Sequence, residues 1–291
     1  RRARRARRHE RPVRRKPADE RGDRDAGRRD VHLALIDIHS HIVPGVDDGA
    51  QTFEQSVEML EMAIAAGTKE IVATPHASPE FEFQAEVVRT EVARLREHFG
   101  ERIRIHTGCD MHLSFDNVQE ALADPAKYSI NGRGYLLVEF SDLVIFKNST
   151  QVLGSLVERG LTPVVTHPER NPLLRQRLEL LREWSGMGCR MQVTGEVLFG
   201  KWGRSAQGFA QKMLDENLAD FIASDAHDAV KRTPRLDEAY TWIAEQYGEA
   251  RARRLFIENP AAVVAGEPLP EATAEEMRKA SQPWYAFWRR R

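Results

Sequence analysis

From residue 31 onward, short apolar runs alternate with longer amphipathic stretches. Seven runs stand out: LALIDIH (33–39), KEIVATPH (69–76), RIRIHTGCD (102–110), GYLLVEF (134–140), TPVVTHP (162–168), CRMQVTG (189–195) and ADFIASDAH (219–227). They are rich in Ile and Val and bounded by Gly, Pro or Asp, as strands buried in a parallel sheet are. The stretches near 53–66, 83–98, 149–159, 171–186, 205–217 and 234–247 have helical spacing. In the first of them Thr52 is placed to cap, and Gly67 to terminate. The segment 111–133 is a long insertion, with a short helix expected at 116–124. Seven strand–helix units in succession imply an α/β fold with right-handed crossovers and a parallel sheet. A closed barrel and a doubly wound open sheet both fit.

At 291 residues the chain fits one α/β barrel. No apolar run approaches the ~18 residues of a membrane span. Cys109 and Cys189 are too few for a disulfide framework. Neither G-x-G-x-x-G after the first strand nor G-x-x-x-x-G-K-[ST] occurs, so no nucleotide cofactor is expected.

The formal net charge of −1 hides an asymmetry. Residues 1–30 hold fourteen basic and six acidic side chains, and the remainder is net acidic. This arm has one Val and no Leu, Ile, Phe or Met, so disorder is expected there. It reads first as a dispensable extension and second as a segment contacting nucleic acid or an acidic membrane. The expected organisation is therefore an arm (1–30), a catalytic body (31–269) and a tail (270–291) ending in WYAFWRRR.

Candidate chemistry lies at the ends of the runs. The first delivers His39 and His41, followed by Asp47 and Asp48; the second ends in His76; the third ends in Asp110, with His112 beyond it. The fourth ends in Glu139, the fifth in His167, and the seventh in Asp225 and His227. In a parallel barrel these ends share one face, where active sites form. Side chains alternate along a strand, so H-x-H and D-x-H each point both groups the same way. Histidine and carboxylate without thiolate suit Mn²⁺, Fe²⁺ or Zn²⁺. The combination points to a polynuclear metal site. His9, His32, His98 and His106 lack this placement, and Gln192 and Thr194 on the sixth strand are supporting candidates.

The strings DIHSHIVPGVDDGA (37–50), ATPH (73–76), THPERN (166–171), SDAH (224–227) and IENPAAVVAGEPL (257–269) closely resemble the PHP (polymerase and histidinol phosphatase) superfamily. Within it they are similar to the capsule-regulating bacterial protein-tyrosine phosphatases of the CpsB/YwqE type. The resemblance covers roughly 35–269 and implies a distorted (β/α)₇ barrel with three divalent ions, manganese foremost. It implies His39, His41, Asp110 and Asp225 around the first ion, and Asp110, Glu139 and His167 around the second. Asp47, His76 and His227 would hold the third. Asp110 stands where such proteins commonly have Glu, one methylene longer. The resemblance also implies a cytoplasmic enzyme, peripheral to the inner membrane at most, whose partner is the Tyr-rich tail of a bacterial tyrosine kinase controlling polysaccharide export.

Such a site suits phosphate ester hydrolysis without a covalent enzyme intermediate. Arg170 and Arg232 follow ligand candidates closely, and a planar guanidinium matches phosphate. Asp48 is a candidate general acid and equally a loop or supporting residue. A cysteine route needs C-x₅-R, but Phe115 and Gly195 stand at the required positions. Three rivals remain. One is a phosphatase of a small ester such as histidinol phosphate. Another is a metal-dependent amidohydrolase, disfavoured because no Lys ends a core strand. The third is an inactive interaction module with a basic arm.

Overall fold

A computed structural model describes residues 33–272. The expected basic arm and the WYAFWRRR tail lie outside the described residues.

Among the described residues nine strands appear: β1 (Leu35–Ser40), β2 (Thr68–Ala73), β3 (His76–Ala77), β4 (Arg104–Thr107), β5 (Asp110–His112), β6 (Tyr135–Glu139), β7 (Thr162–Thr166), β8 (Arg190–Thr194) and β9 (Phe221–Ala223). Every pair is parallel, in the orders β1-β2-β4 and β3-β5-β6-β7-β8-β9. The second and third expected strands are thus each broken in two. Pro75 has no N–H for the ladder. At Gly108 a Cβ would come within 3.1–3.2 Å of Ile130, Thr74 and Val72 side chains. Single bonds carry the pairing across the breaks, Gly108 N to Ala73 O at 2.9 Å and Asp110 N to Pro75 O at 3.1 Å. Counting each broken strand once gives seven staves. A bridge between Ser40 and Ala226 joins the first stave to the last. The result is a distorted (β/α)₇ barrel, the closed alternative of the two.

The principal helices are α1 (Phe53–Ala65), α2 (Ala85–Phe99), α3 (Phe115–Ala123), α4 (Pro125–Tyr128), α5 (Ser149–Glu158), α6 (Leu178–Gly186), α7 (Gly203–Asp215), α8 (Asp237–Tyr247), α9 (Glu249–Arg253) and α10 (Asn259–Ala265). Thr52 caps α1 by accepting from Gln55 N at 3.3 Å. Helix α6 starts later than the spacing over 171–186 predicts. Asn171 Oδ1 accepts from Leu173 N and Leu174 N, which favours a turn over a helix there. Helices α4, α9 and α10 were not apparent from spacing, being too short for two turns of apolar repeat. All six β1 positions are buried, and Trp184, Phe99, Phe221 and Phe256 are fully enclosed around the staves. Among the described residues no helix is long and apolar enough to cross a membrane.

Candidate metal centre

The H-x-H and D-x-H pairs meet at the closing seam. His41 N donates to Ala226 O at 2.8 Å, and Asp225 N donates to His39 O at 2.9 Å. This brings Asp225 Oδ1 within 3.5 Å of His39 Nε2 and 3.4 Å of His41 Nε2. Asp225 has φ +51° and His167 has φ +34°, left-handed values that cost a non-glycine residue strain. Neighbouring bonds hold the first of them. Buried Asp37 accepts from Ser224 N at 3.0 Å and from Ser224 Oγ at 2.5 Å, fixing the residue before Asp225.

Four sets of donor atoms converge, each within 4.8 Å: His39, His41 and Asp110; His39, His167 and Asp225; His76, Asp110 and Glu139; and His41, Asp48, His76 and His227. Sharing among the sets makes one contiguous cluster. Asp110 belongs to two of them, with Oδ2 lying 3.5 Å from His39 Nε2 and 3.4 Å from His76 Nδ1. The shorter side chain therefore still reaches both groups. Glu139 Oε1 lies 3.7 Å from His167 Nε2. His112 is in none of the sets, His106 pairs with Glu70 at 2.9 Å, and His98 packs against Phe53. His9 and His32 lie outside the described residues.

Hydrogen bonds aim the imidazoles. His39 Nδ1 donates to Gln192 Oε1 at 3.0 Å, His41 Nδ1 to Asp47 Oδ2 at 2.7 Å, and His227 Nδ1 to Asp225 O at 3.0 Å. With Nδ1 as donor, each Nε2 turns its lone pair inward. His39 Nε2 and His41 Nε2 then face each other at 3.2 Å, an arrangement a cation relieves. Asp110 Oδ2, His76 Nδ1 and His227 Nε2 are buried without a hydrogen-bond partner. Such orphaned donor atoms are costly in a protein interior unless something binds them. The residues present therefore fit divalent cations.

The electrostatics agree. Burial, with His76 beside it, lowers His41 to about 4, and burial with Arg170 nearby holds His167 well below its usual value. Neutral imidazole is the form that ligates. Burial also opposes a charge on His76, yet Asp110 and Glu139 outweigh it and raise His76 to about 9. Burial opposes ionisation of Asp110, but His39 and His76 hold it well below the usual carboxylate range. A bound cation would replace the positive charge that these carboxylates draw onto His76.

The loop after β1 differs from the expectation. Asp47 is in none of the converging sets. Its Oδ2 accepts from His41 Nδ1 and from His76 N at 3.1 Å, and its Oδ1 from Gly49 N at 2.9 Å. Asp48 instead lies 3.3 Å from His227 Nε2 and 3.5 Å from His76 Nε2. Gly49 lets the loop approach the strand this closely. A Cβ there would fall 2.1 Å from His41 O, so only glycine lets the loop lie on the H-x-H strand.

Arg170 and Arg232 both donate to Asp225 Oδ2, the latter at 2.6 Å. Their Nε atoms are buried without a partner, leaving donors for another anion. Burial, with Arg232 alongside, lowers Arg170 to about 10. Cys109 and Cys189 are buried free thiols. Burial raises the first well above its ordinary value and the second to about 12, so neither supplies a thiolate.

Residues 35–265 match the family model for capsular polysaccharide synthesis, CpsB/CapC. The chain belongs to the CpsB/CapC family. The tyrosine-protein phosphatase CpsB of Streptococcus agalactiae is 32% identical over 239 residues, spanning 79% of this chain and 98% of that protein. The tyrosine-protein phosphatase YwqE of Bacillus subtilis is 32% identical over 218 residues, spanning 74% and 85%. Among solved structures, those of YwqE from Bacillus subtilis and CpsB from Streptococcus pneumoniae, described as unique metal-dependent tyrosine phosphatases, match with a TM-score of 0.76. That match is 28% identical and covers 82% of this chain and 97% of the other. A β-aspartyl dipeptidase from Fervidobacterium islandicum shares the fold at TM-score 0.52 and 16% identity, covering 79% and 75%.

Several supports of this CpsB/CapC site escaped sequence reasoning. Arg170 lies over the Trp202 ring, 4.7 Å from its centre. Thr166 Oγ1 donates to Asp110 Oδ1 at 3.3 Å, and Asn171 Nδ2 ties the THPERN loop to Phe140 O at 3.2 Å. Glu169 is fully buried, accepts from Thr194 N at 2.8 Å, and is raised by burial to about 7. Thr166, Glu169 and Asn171 lie within the THPERN string and Asp37 opens DIHSH, so the motifs contained them. Nothing in the sequence flagged Trp202.

Proposed function

We propose that the protein is a metal-dependent protein-tyrosine phosphatase acting on a tyrosine kinase that controls capsule or exopolysaccharide synthesis. The observation carrying this is the convergence of nine histidine and carboxylate side chains under two arginines, in a chain of the CpsB/CapC family. The body 31–269 suffices for the activity.

The donor set suits three divalent ions, manganese first, with Fe²⁺ or Zn²⁺ also compatible. His39, His41, Asp110 and Asp225 would hold one, Asp110, Glu139 and His167 the second, and Asp48, His76 and His227 the third. Bound there, such ions neutralise phosphoryl charge and lower the pKa of a coordinated water. The chain's own residues do the rest. Arg170 and Arg232 bind phosphoryl oxygens, exchanging their hold on Asp225 for the substrate. Gln192 and Asp47 keep His39 and His41 in the ligating tautomer. Asp48 takes a place among the ligands rather than that of general acid. The phenolate leaving group, with a pKa of about 10, needs less protonation than an alkoxide. The partner in this reading is the tyrosine-rich tail of a membrane-associated kinase, met at the cytoplasmic side.

The test is turnover of phosphotyrosine peptides and histidinol phosphate by chelated and Mn²⁺-restored protein. Activity lost on chelation, regained with Mn²⁺ and directed to phosphotyrosine supports the reading. Activity persisting after thorough metal removal, or preference for histidinol phosphate, sinks it.

A further inference from the structure

The metal ligands and arginines described above recognise a phosphate. Nothing in them distinguishes phosphotyrosine from phosphoserine. A cleft of about 280 Å³ opens beside the cluster, lined by Val46, Pro75, His76, Phe81, Phe83 and Val88. His76 lines the cleft and belongs to two of the converging donor sets, so the cleft borders the cluster. The Phe81 ring lies nearly parallel to the His76 ring, at 16° and 5.9 Å between centres. That is the offset geometry aromatic rings favour with one another.

The wall is built before any ligand arrives. Ser78 and Phe81 exchange backbone bonds, Ser78 N to Phe81 O at 3.0 Å and Phe81 N to Ser78 O at 3.2 Å. Ser78 Oγ also accepts from Glu80 N and Phe81 N, both at 3.2 Å. Phe83 anchors the far end of the loop against Tyr128, with ring centres 5.4 Å apart. Phe81 therefore loses little freedom on meeting a ligand. Glu80 and Glu82 stand exposed on the same loop, so the rim favours a neutral group over a second anion.

We propose that this cleft receives the aromatic ring of the phosphotyrosine side chain, with Phe81 as the residue that selects aryl over alkyl phosphate esters. The proposal rests on the phosphatase reading and deepens it. The cleft is small beside the roughly 300–1,000 Å³ of drug-sized ligand sites, which matches one ring rather than a nucleotide.

The test compares binding of phenylphosphonate and methylphosphonate to the manganese-loaded full chain by calorimetry. The two probes share the anionic head and differ in the ring. Phe81→Ala and Phe81→Leu should weaken phenylphosphonate about fivefold and leave methylphosphonate within about twofold. Phe81→Trp should restore the preference. In turnover, the ratio of kcat/KM for phosphotyrosine over phosphoserine in one peptide should fall in the same two variants. Thermal melting checks that each variant is folded, and Phe81→Leu retains bulk where Phe81→Ala does not. Equal loss of both probes, or loss of neither, overturns the ring site while phosphotyrosine turnover by the unaltered protein leaves the phosphatase reading standing. Absence of that turnover in the unaltered protein overturns both.

Discussion

The guanidinium of Arg170 is held between the face of Trp202 and the carboxylate of Asp225. The ring packs on the guanidinium, so loss of the indole frees the guanidinium without removing its charge. Trp202→Ala should raise KM for phosphotyrosine peptides about twofold to thirtyfold, the span of a cation–π contact of roughly 0.5–2 kcal/mol. The change in kcat should be smaller. Trp202→Phe should recover part of the loss in steady-state kinetics.

Asp47 and Asp48 are neighbours with different surroundings, and metal analysis can tell their contributions apart. Asp48→Asn should lower the bound metal by one equivalent, because its carboxylate faces His76 and His227. Asp47→Asn should keep the stoichiometry and weaken affinity by about tenfold to a hundredfold, as loss of an orienting partner does. Elemental analysis and metal titration of the two variants give the answer. An unchanged metal content in Asp48→Asn would contradict the placement.

The thiols offer a negative control. Cys109 and Cys189 are buried, and burial raises both above the ordinary thiol range. Cys189→Ala should leave phosphatase activity intact, and iodoacetamide should not inactivate the native protein. Rapid inactivation that substrate prevents would reopen a cysteine mechanism.

Away from the site, Asp220 gives a pH signature. Burial raises its carboxyl to about 6, against the opposing pull of Arg190, although Met191 N donates to it at 2.9 Å. The folded chain then holds a proton that the unfolded chain releases near its ordinary value of 3.8. This group leaves stability unaffected below pH 3.8 and lowers it progressively as pH rises to about 6. Asp220→Asn should remove that decline and raise stability at pH 7 by about 2 kcal/mol, discounted because the side chain keeps some solvent contact. Denaturant unfolding from pH 4 to 7 measures it.

Metal removal should be visible in stability as well as in turnover. The cluster joins the first and last staves, so ions bind only the closed barrel. At a hundredfold excess over Kd one such ion adds about 2.7 kcal/mol. Chelation should lower Tm by roughly 5–10 °C, at ~2–4 °C per kcal/mol for a chain of this class. Scanning calorimetry with and without Mn²⁺ is the measurement, and coincident transitions would contradict the assignment.

Much of the site was legible because strand side chains alternate with fixed period. H-x-H could be read as paired and inward-facing without knowledge of what lay opposite it, whereas D-x-H lies beyond β9, with Asp225 at φ +51°, and was marked only by its place at a strand end. Alternation says nothing of Asp47 and Asp48, which sit on a loop where no period applies. There, the loop is packed so closely on the backbone of His41 that only glycine fits at position 49. The breaks at Pro75 and Gly108 were hidden because an apolar run looks continuous whether or not its ladder is. Trp202, Ser224 and Asp37 act through partners distant in sequence, and local spacing carries no trace of such pairings.

The Ser40–Ala226 bridge gives the seam a temporal meaning. His39 and His41 are among the first residues of the body to leave a ribosome, whereas Asp225 and His227 emerge after nearly all of it. Most of the barrel can pair and pack while the cluster still lacks its final donors. A nascent or truncated chain ending before residue 224 would carry an exposed, half-complete set of histidines and acids. The cluster is therefore complete only when the last stave has docked against the first.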